Sequence, residues 1–558
     1  MKTVKKIIVH LCSVVVCFVF VTAAPAQIIT TVYGTGGSGY SGDGGPASAA
    51  TYTTGNIVFD HTGNLFLDDI GNYRVRIINT GGIINTYAGD GTRGFYGDGG
   101  PATAAKFSTS PGPIAIDGAG NIYIADSSRI RKIGASSGII TSIAGSGTRG
   151  PSMGDGGPAT AAQFNILFCI TVDAVGNLYI VDHAYIRKVD LTGTISTIAG
   201  AATFGFAGDG GPATAAQFSE INGMITDPSG NLFVCDVENN RIRKIDASGI
   251  INTIAGSGAT GSGHGGFSGD GGPATTALMY SPGALAIDQA GNLYAGDGSR
   301  IRKISPSGII TTVAGTSTAG YSGDDGPATA ANVNAQDMAF DCAGNLYIED
   351  GMGHIRKITF HDPPAFTLGT TQSISVCENS SALAIDSLLG VTDTSIGRTE
   401  TWNVTRTPVH GTMAGAFSTI STGSVLSPTG FSYTPTIGYI GNDTVSMQVL
   451  YCGTTAGTTT FYITVTGCSL ATTATVKENE QLSVFPNPNA GSFSLNLRSP
   501  DNEPAHVVVK NIVGETVKEY TIATNTATDM QLDVADGLYF VTATTATGKC
   551  IAKVSVIR

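Results

Sequence analysis

Tryptophan occurs once in the 558 residues, at Trp402, and charged residues make up only 13% of the chain. No C-x-x-C spacing is present, which removes the usual zinc and dithiol signatures. Long stretches with the period of an amphipathic helix are missing as well. Basic residues are scarce, 30 against 42 acidic ones, and a net charge of −12 argues against nucleic acid or an anionic membrane surface as partner. The one long apolar run, Ile7 to Val21, is shorter than the ~20 residues that span a bilayer, and no later segment comes nearer.

That run follows Lys2, Lys5 and Lys6 and precedes the small residues Ala24-Pro25-Ala26. The pattern is that of a secretory signal peptide, residues 1–26, cleaved before Gln27, rather than a membrane anchor. Its removal takes away three lysines and leaves 27 basic against 42 acidic residues, a net of −15. The mature chain is expected to be a soluble monomer without a transmembrane segment.

Seven of the nine cysteines remain after cleavage, and an odd number cannot all pair within one chain. Cys169, Cys235 and Cys342 sit singly in separate repeats and read as small buried apolar residues. Cys377 is expected to pair with Cys452 or Cys468, since the three share one small region of an exported protein.

What the sequence has in abundance is glycine, 76 residues, and internal repetition. Gly-Asn followed by an apolar strand recurs at Asn64, Asn121, Asn177, Asn231, Asn292 and Asn345, a spacing of 53 to 61 residues. Ile-Arg-Lys or a close variant recurs at Arg76, Arg131, Arg187, Arg243, Arg302 and Arg356. A third motif of the type Ile-Ile-Thr-Thr-Val-Ala-Gly begins at Ile28, Ile83, Ile139, Ile195, Ile250 and Ile309. Each unit reads as four short strands; in the second they are Pro113 to Asp117, Asn121 to Asp126, Arg129 to Ile133 and Gly138 to Ala144. The last unit lacks its fourth strand, and Ile28–Tyr33 precedes any complete unit, so the N-terminal strand should close the ring.

Segments such as Asp117-Gly-Ala-Gly-Asn121-Ile-Tyr-Ile-Ala-Asp126 followed by Arg129-Ile-Arg-Lys resemble NHL repeats. The resemblance covers residues 28 to 361 and implies a six-bladed β-propeller, here bounded as residues 27–362.

A near-constant loop precedes each unit: Gly42-Asp43-Gly44-Gly45-Pro46-Ala47, repeated around Asp98, Asp155, Asp209, Asp270 and Asp324. Tyr40, Phe95, Phe206, Phe267 and Tyr321 stand three residues before the loop aspartate, with Ser152 in the third unit. One reading is structural: a glycine-rich turn into a short helical turn, capped by the Asp, with the aromatic plugging the gap between blades. The other is a ligand-binding face, because these loops and the turns at Asp69, Asp126, Asp182, Asp236, Asp297 and Asp350 emerge on one side of a propeller. Aromatic faces beside carboxylates suit sugars or cationic peptides. No cofactor is expected; calcium is the one ion the acidic face would suit, although each loop brings too few carboxylates for its six to eight oxygens.

Some six-bladed relatives are metal-dependent lyases or lactonases, and such an enzyme with a metal in the central channel is the alternative function. Its ligands would have to converge from several inner strands. His61, His183, His264, His354 and His361 fall instead at unrelated positions of the repeat, so no catalytic or metal-ligating residue is assigned.

Residues 366–468 contain Pro408-Val-His-Gly411, Phe431-Ser-Tyr433 and Gly438-Tyr-Ile-Gly441, and resemble the immunoglobulin- or cadherin-like modules of bacterial surface proteins. This implies a β-sandwich spacer with Trp402 in its core. Residues 480–558 open with Phe485-Pro486-Asn487-Pro488 and Gly491 and end with Gly537-Leu-Tyr539-Phe-Val. They are similar to the C-terminal sorting domain of the type IX secretion system of Bacteroidetes-type bacteria. That resemblance implies handling by the type IX machinery and a place on the outer surface or outside the cell. The sequence thus reads as all-β, a six-bladed propeller with two small sandwiches, serving as a secreted or surface protein that binds a glycan, peptide or protein.

Overall fold

The computed structural model describes residues 27–258, 266–360, 364–393, 395–452, 454–467, 481–487, 489–546 and 548–557. The expected signal peptide, His264, His361, Cys468 and Pro488 lie outside the described residues. The chain divides into two compact units. The first comprises Met1–Ser373, Leu383–Tyr433 and Thr444–Tyr462, and the second Ile374–Ala382, Thr434–Asp443 and Ile463–Arg558.

The first unit is built on six antiparallel sheets of four or five strands, one per sequence repeat. Sheet two is representative: from the inside outward it holds Ile114–Ile116, Ile122–Asp126, Arg129–Ile133 and Ile139–Ala144. The innermost strands of neighbouring sheets touch in a closed cycle, that of sheet six, Asp337–Phe340, meeting that of sheet one, Thr54–Phe59. This is a β-propeller.

The second strand of sheet two is buried at every residue because adjacent sheets cover both of its faces. Between sheets two and three the packing runs through Ala115, Ile130, Phe164, Ile170 and Ile180.

The Asp-x-x-Gly-Asn turn has a local cause. The Asp117 carboxylate accepts the amides of Ala119 and Asn121 at 3.0 and 2.9 Å and the Asn121 side-chain amide at 2.7 Å. Asp60, Asp173, Asp227, Asp288 and Asp341 bond to the matching asparagine amides in the same way.

Sheet six takes its outer strand from Ile28–Tyr33, which pairs with Ile355–Thr359 in the register Ile28↔Thr359 to Tyr33↔Ile355. Ile29 is fully buried there. An outermost strand would still expose its unpaired edge, and the recurrent loop covers it. Gly100–Pro101 pairs with Ile139 and Ile140, Gly45–Pro46 with Ile83 and Ile84, and Gly326–Pro327 with Ile28 and Ile29. Single bridges at Pro158, Pro212 and Pro273 do the same in the other three sheets. Proline has no amide hydrogen, so pairing stops there and the edge cannot template another strand.

The loop packs tightly against the chain just downstream of it. A Cβ at Gly97 would lie 2.8 Å from the Ala105 backbone, and φ is +96° there. Pro101 leads into a 3-10 turn, Ala102–Ala104, as the sequence suggested, but no side chain caps it. The residue shortly after each such turn fills the gap between sheets: Tyr52, Phe107, Phe164, Phe218, Met279 and Val333, all buried.

Beyond the propeller, still within the first unit, Ile396–Arg406 pairs with Phe417–Thr422, and its Glu400–Arg406 part pairs with Ser446–Tyr451. Trp402 is fully buried and donates its indole N–H to the Leu389 carbonyl at 2.9 Å.

In the second unit, one sheet holds Gln481–Phe485, Ser492–Arg498 and Thr528–Gln531. The other holds Thr516–Ala523, Pro504–Asn511, Gly537–Thr544 and Lys549–Val556. Both sheets contribute to one core that includes Phe493, Leu495, Val507, Tyr539, Val541 and Val554.

Candidate functional site

The loop aspartates and the repeated arginines form one network. Arg131 has no exposed surface, yet its guanidinium carries up to five donors that need partners. It donates to Asp98 Oδ1 through Nε at 3.0 Å, to the Lys106 carbonyl at 2.7 Å and to the Tyr96 carbonyl at 2.9 Å. Nη1 also lies 3.4 Å from the buried Asp126. The same bridge joins Arg76 to Asp43 and Asp69, Arg187 to Asp155 and Asp182, Arg243 to Asp209 and Asp236, and Arg302 to Asp270 and Asp297.

A bulge explains why an aspartate stands in each loop. The outer strand shifts register beside the arginine, between Ile130 and Arg131 in sheet two, and the ladder loses a partner for one amide. The Ser142 amide then donates to Asp98 Oδ2 at 3.0 Å, Thr197 to Asp155 at 2.9 Å, Thr253 to Asp209 at 3.0 Å and Thr31 to Asp324 at 3.1 Å. These carboxylates therefore serve the bulge and the arginine instead of the 3-10 turn. Partial burial opposes their ionisation, but hydrogen bonds and the arginine hold Asp43, Asp155, Asp209 and Asp324 below the ordinary value. The inner row behaves oppositely. Burial raises Asp69, Asp126, Asp182 and Asp297 despite their arginines, and pushes Asp236 up to about 6.

The five loop aromatics lie over this network rather than between sheets. Tyr40 is 4.0 Å from the Arg74 guanidinium, Phe95 4.0 Å from Arg129, Phe206 3.7 Å from Arg241 and Phe267 3.8 Å from Arg300. Tyr321 stacks on His354 instead, ring centroids 4.1 Å apart, while Asp350 bonds His354 at 3.0 Å and Arg356 pairs with Asp324. One face of each ring is occupied; the rings remain partly exposed, Phe95 by 43%.

The repeat breaks in sheet three, where Ser152 replaces the aromatic and Tyr185 the outer arginine. Beside it, on the side where these loops emerge, is an open cavity of about 380 Å³ lined by Ile166, Phe168, His183, Phe204, Glu220 and Glu238. Phe204 is 55% exposed and meets the His183 ring edge-on, centroids 4.9 Å apart. Ser219 donates to Glu238 at 2.7 Å and Asn222 to Glu220 at 3.0 Å, which fixes both carboxylates. Sequence reasoning noted Ser152 and His183 but not this cavity, because Phe204, Glu220 and Glu238 belong to no repeated motif.

The inner strands enclose a second cavity of about 280 Å³, lined mainly by apolar residues such as Ile57, Ile114, Met224 and Leu285, with Cys169 and Asp337. Burial pushes the Cys169 thiol up to about 12 and Asp337 up to about 6. Among the described residues no cluster of three or more His, Cys, Asp or Glu is placed to hold a metal ion. Near Asp337, Glu349 is fully buried, one carboxyl oxygen has no protein partner, and burial together with Asp350, Asp68 and Asp337 pushes it up to about 9.

In the tail, Asn487 brackets the last strand: its side chain donates to the Lys553 carbonyl at 2.6 Å and accepts the Ser555 amide at 2.8 Å. Gly491, at φ +95°, accepts the Leu532 amide at 2.7 Å. Tyr539 donates to the Ala535 carbonyl at 2.8 Å, its ring 3.7 Å from where a Cβ at Gly537 would stand. Pro486 directly succeeds the strand Gln481–Phe485, in the opening segment. The opening motif is thus bonded to the last strand, Lys549–Val556, and to Leu532, while Tyr539 of the closing motif is fixed by its own turn.

Comparison with known proteins agrees with both halves of this description. Residues 149–207 and 262–322 match the Teneurin NHL domain family, and residues 483–557 match the Secretion system C-terminal sorting domain family. The chain is similar to Teneurin-4 of Mus musculus, 28% identical over 156 residues, 26% of this chain and 5% of that protein. It is also similar to Teneurin-1 of Homo sapiens, 30% identical over 229 residues, 38% of this chain and 8% of that protein. The chain therefore spans less than a tenth of these relatives. Among solved structures it resembles an auxiliary nutrient binding protein from Bacteroides thetaiotaomicron VPI-5482, with a TM-score of 0.42 and 18% identity over 60% of this chain and 76% of that one. The chain carries an NHL propeller and a secretion sorting tail.

Two measurements test the electrostatics. Arg131→Ala leaves Asp126 buried without its cation and should cost about 3–5 kcal/mol in denaturant unfolding. Phe95→Ala removes an exposed cation–π contact and should cost about 0.5–1 kcal/mol; equal losses would show that the ring, not the ion bridge, holds the loop. Glu349, raised from an unfolded value near 4.5 to about 9, favours the native state only while protonated. Stability should therefore fall as pH rises from about 5 to 9, and Glu349→Gln should flatten that fall. Parallel stability–pH curves for the two proteins would refute the assignment.

Proposed function

We propose that this chain is an exported binding protein. Its six-bladed propeller carries the ligand site, the immunoglobulin- or cadherin-like region after it acts as a spacer, and the tail directs type IX export to the cell surface or beyond. The observation that carries the reading is the cavity beside sheet three. It lies where the repeat fails, and it joins exposed aromatic surface to two fixed carboxylates, Glu220 and Glu238. That chemistry suits a cationic group on an apolar stem, as on a lysine- or arginine-bearing peptide. The net charge of −15 after signal removal would draw such a ligand in. Tyr40, Asp43, Phe95, Asp98, Asp155, Phe206, Asp209, Phe267, Asp270, Tyr321 and Asp324 then keep this face rigid around the cavity, their carboxylates already paired with arginines.

An array of cationic peptides and neutral glycans, probed with the full chain, tests the site. Phe204→Ala and Glu238→Gln should each weaken capture of cationic peptides by on the order of tenfold, about 1.4 kcal/mol, without moving the melting temperature. Undiminished capture by both variants, or capture of neutral glycans alone, would remove the cavity from the proposal.

The export reading rests on the tail, whose match to a sorting domain spans residues 483–557 and whose opening motif is bonded to its last strand. A chain that stops before Leu482 should accumulate in the periplasm. Its arrival at the cell surface in the amounts of the full chain would refute the sorting role.

A further inference from the structure

Cys342 lies in the turn between the two innermost strands of sheet six, and Cys452 in the turn after Tyr451. They are 110 residues apart in sequence, yet the Cys342 thiol approaches the Cys452 carbonyl at 3.6 Å, and the two side chains hydrogen-bond to each other. Neither is disulfide-bonded, whereas Cys377 is. Cys452 is therefore not the partner of Cys377, one of the two pairings the sequence left open, and Cys342 is not merely a small apolar residue in a sheet. The backbone around the pair is held from both sides. The Tyr451 hydroxyl donates to the Ala343 carbonyl at 3.1 Å and accepts from Arg398, itself buried against Gly344. Both cysteines are partly exposed and line one cavity of about 280 Å³ with Tyr33, Asp341 and Tyr451, so a soluble reagent can reach them.

We propose that Cys342 and Cys452 form a second disulfide in the mature protein, fastening sheet six of the propeller to the module that succeeds it. The electron acceptor is a disulfide, supplied by a thiol oxidoreductase or a small molecule. The Cys342 thiolate attacks one sulfur of the acceptor, forming a mixed disulfide and expelling the other sulfur as a thiolate. The Cys452 thiolate then attacks Cys342 Sγ, forming the internal bond and expelling the second thiolate. Two protons leave the protein, and the acceptor disulfide ends as two thiol groups, reduced by two electrons. The direction of attack is set by the surroundings. The hydrogen bond from Cys452, aided by Arg398, holds the Cys342 thiol below its ordinary value, and the same contact pushes Cys452 up. Cys235, fully buried, is raised by burial and should stay out of the exchange.

Purified full-length chain, incubated with oxidised glutathione, alkylated, denatured and digested without reductant, decides the matter independently of export. The expected product is a linked peptide pair joining Cys342 and Cys452, lighter by two hydrogens than the separate peptides, with the buried Cys235 recovered unalkylated. Cys452→Ser should trap glutathione on Cys342, because the resolving thiol is gone. Recovery of Cys342 and Cys452 as alkylated thiols while Cys377 stays bonded would overturn the proposal. So would linkage of Cys342 to any other cysteine, or a folded Cys452→Ser variant that takes up no glutathione.

Discussion

A guanidinium buried in each repeat sets the terms for the rest of the propeller. Arg131 has no exposed surface, and water cannot satisfy its donors. Two carboxylates and two carbonyls must converge on it, and they come from separate segments: the loop through Asp98, the strand end at Asp126, and the carbonyls of Tyr96 and Lys106. A connection of this length would ordinarily be a mobile excursion. Tied to a buried cation, it lies along the sheet, where Gly100–Pro101 closes the outer edge. Ion bridge, bulge and edge pairing are thus one device, and removing its cation strands charges that have nowhere else to go.

The same device accounts for ring closure. In sheet six the outer strand, Ile28–Tyr33, is far from the other three in sequence, yet Asp324 still accepts the Thr31 amide and bonds Arg356. The N-terminal segment is therefore held by its ladder and by a side chain from a loop near the end of the ring. Arg356 has lost its inner aspartate, since Asp350 has turned to His354, and this sheet also contains Glu349, whose carboxyl is buried without the compensation that Asp126 receives. This departure from symmetry, unlike the one in sheet three, falls where the chain closes the ring.

Much of this was legible in the sequence because the repeat writes each feature six times. The strand expected at Arg129 to Ile133 is the strand found, and the one expected at Asn121 to Asp126 starts one residue later, at Ile122. The Asp117 turn and the role of Ile28–Tyr33 could be read from spacing and motif order alone. The partners of Asp98 could not, because a bulge in a strand some forty residues away leaves no mark on composition. Assigning the interblade plug to Phe95 missed Phe107, which comes after the 3-10 turn and carries the apolar burial, while Phe95 covers arginines at the surface. Cys342 and Cys452 escaped notice for a similar reason: each is unremarkable in its own segment, and only the packing of sheet six against the next module brings them together.

Symmetry itself sorts the residues by role. Whatever occurs in all six repeats, such as the loop aspartates, the arginines and the Asp-Asn turns, answers a demand that every sheet makes, and each of these groups has its bonds within its own repeat. A ligand that is not itself six-fold needs something that occurs once. Among the residues that occur once are His183, Phe204, Glu220 and Glu238, beside a sheet that has lost its aromatic and its outer arginine. They do not carry the repeat, so they are free to change without unfolding it, and a propeller that acquires a new ligand can do so there at little cost to its frame.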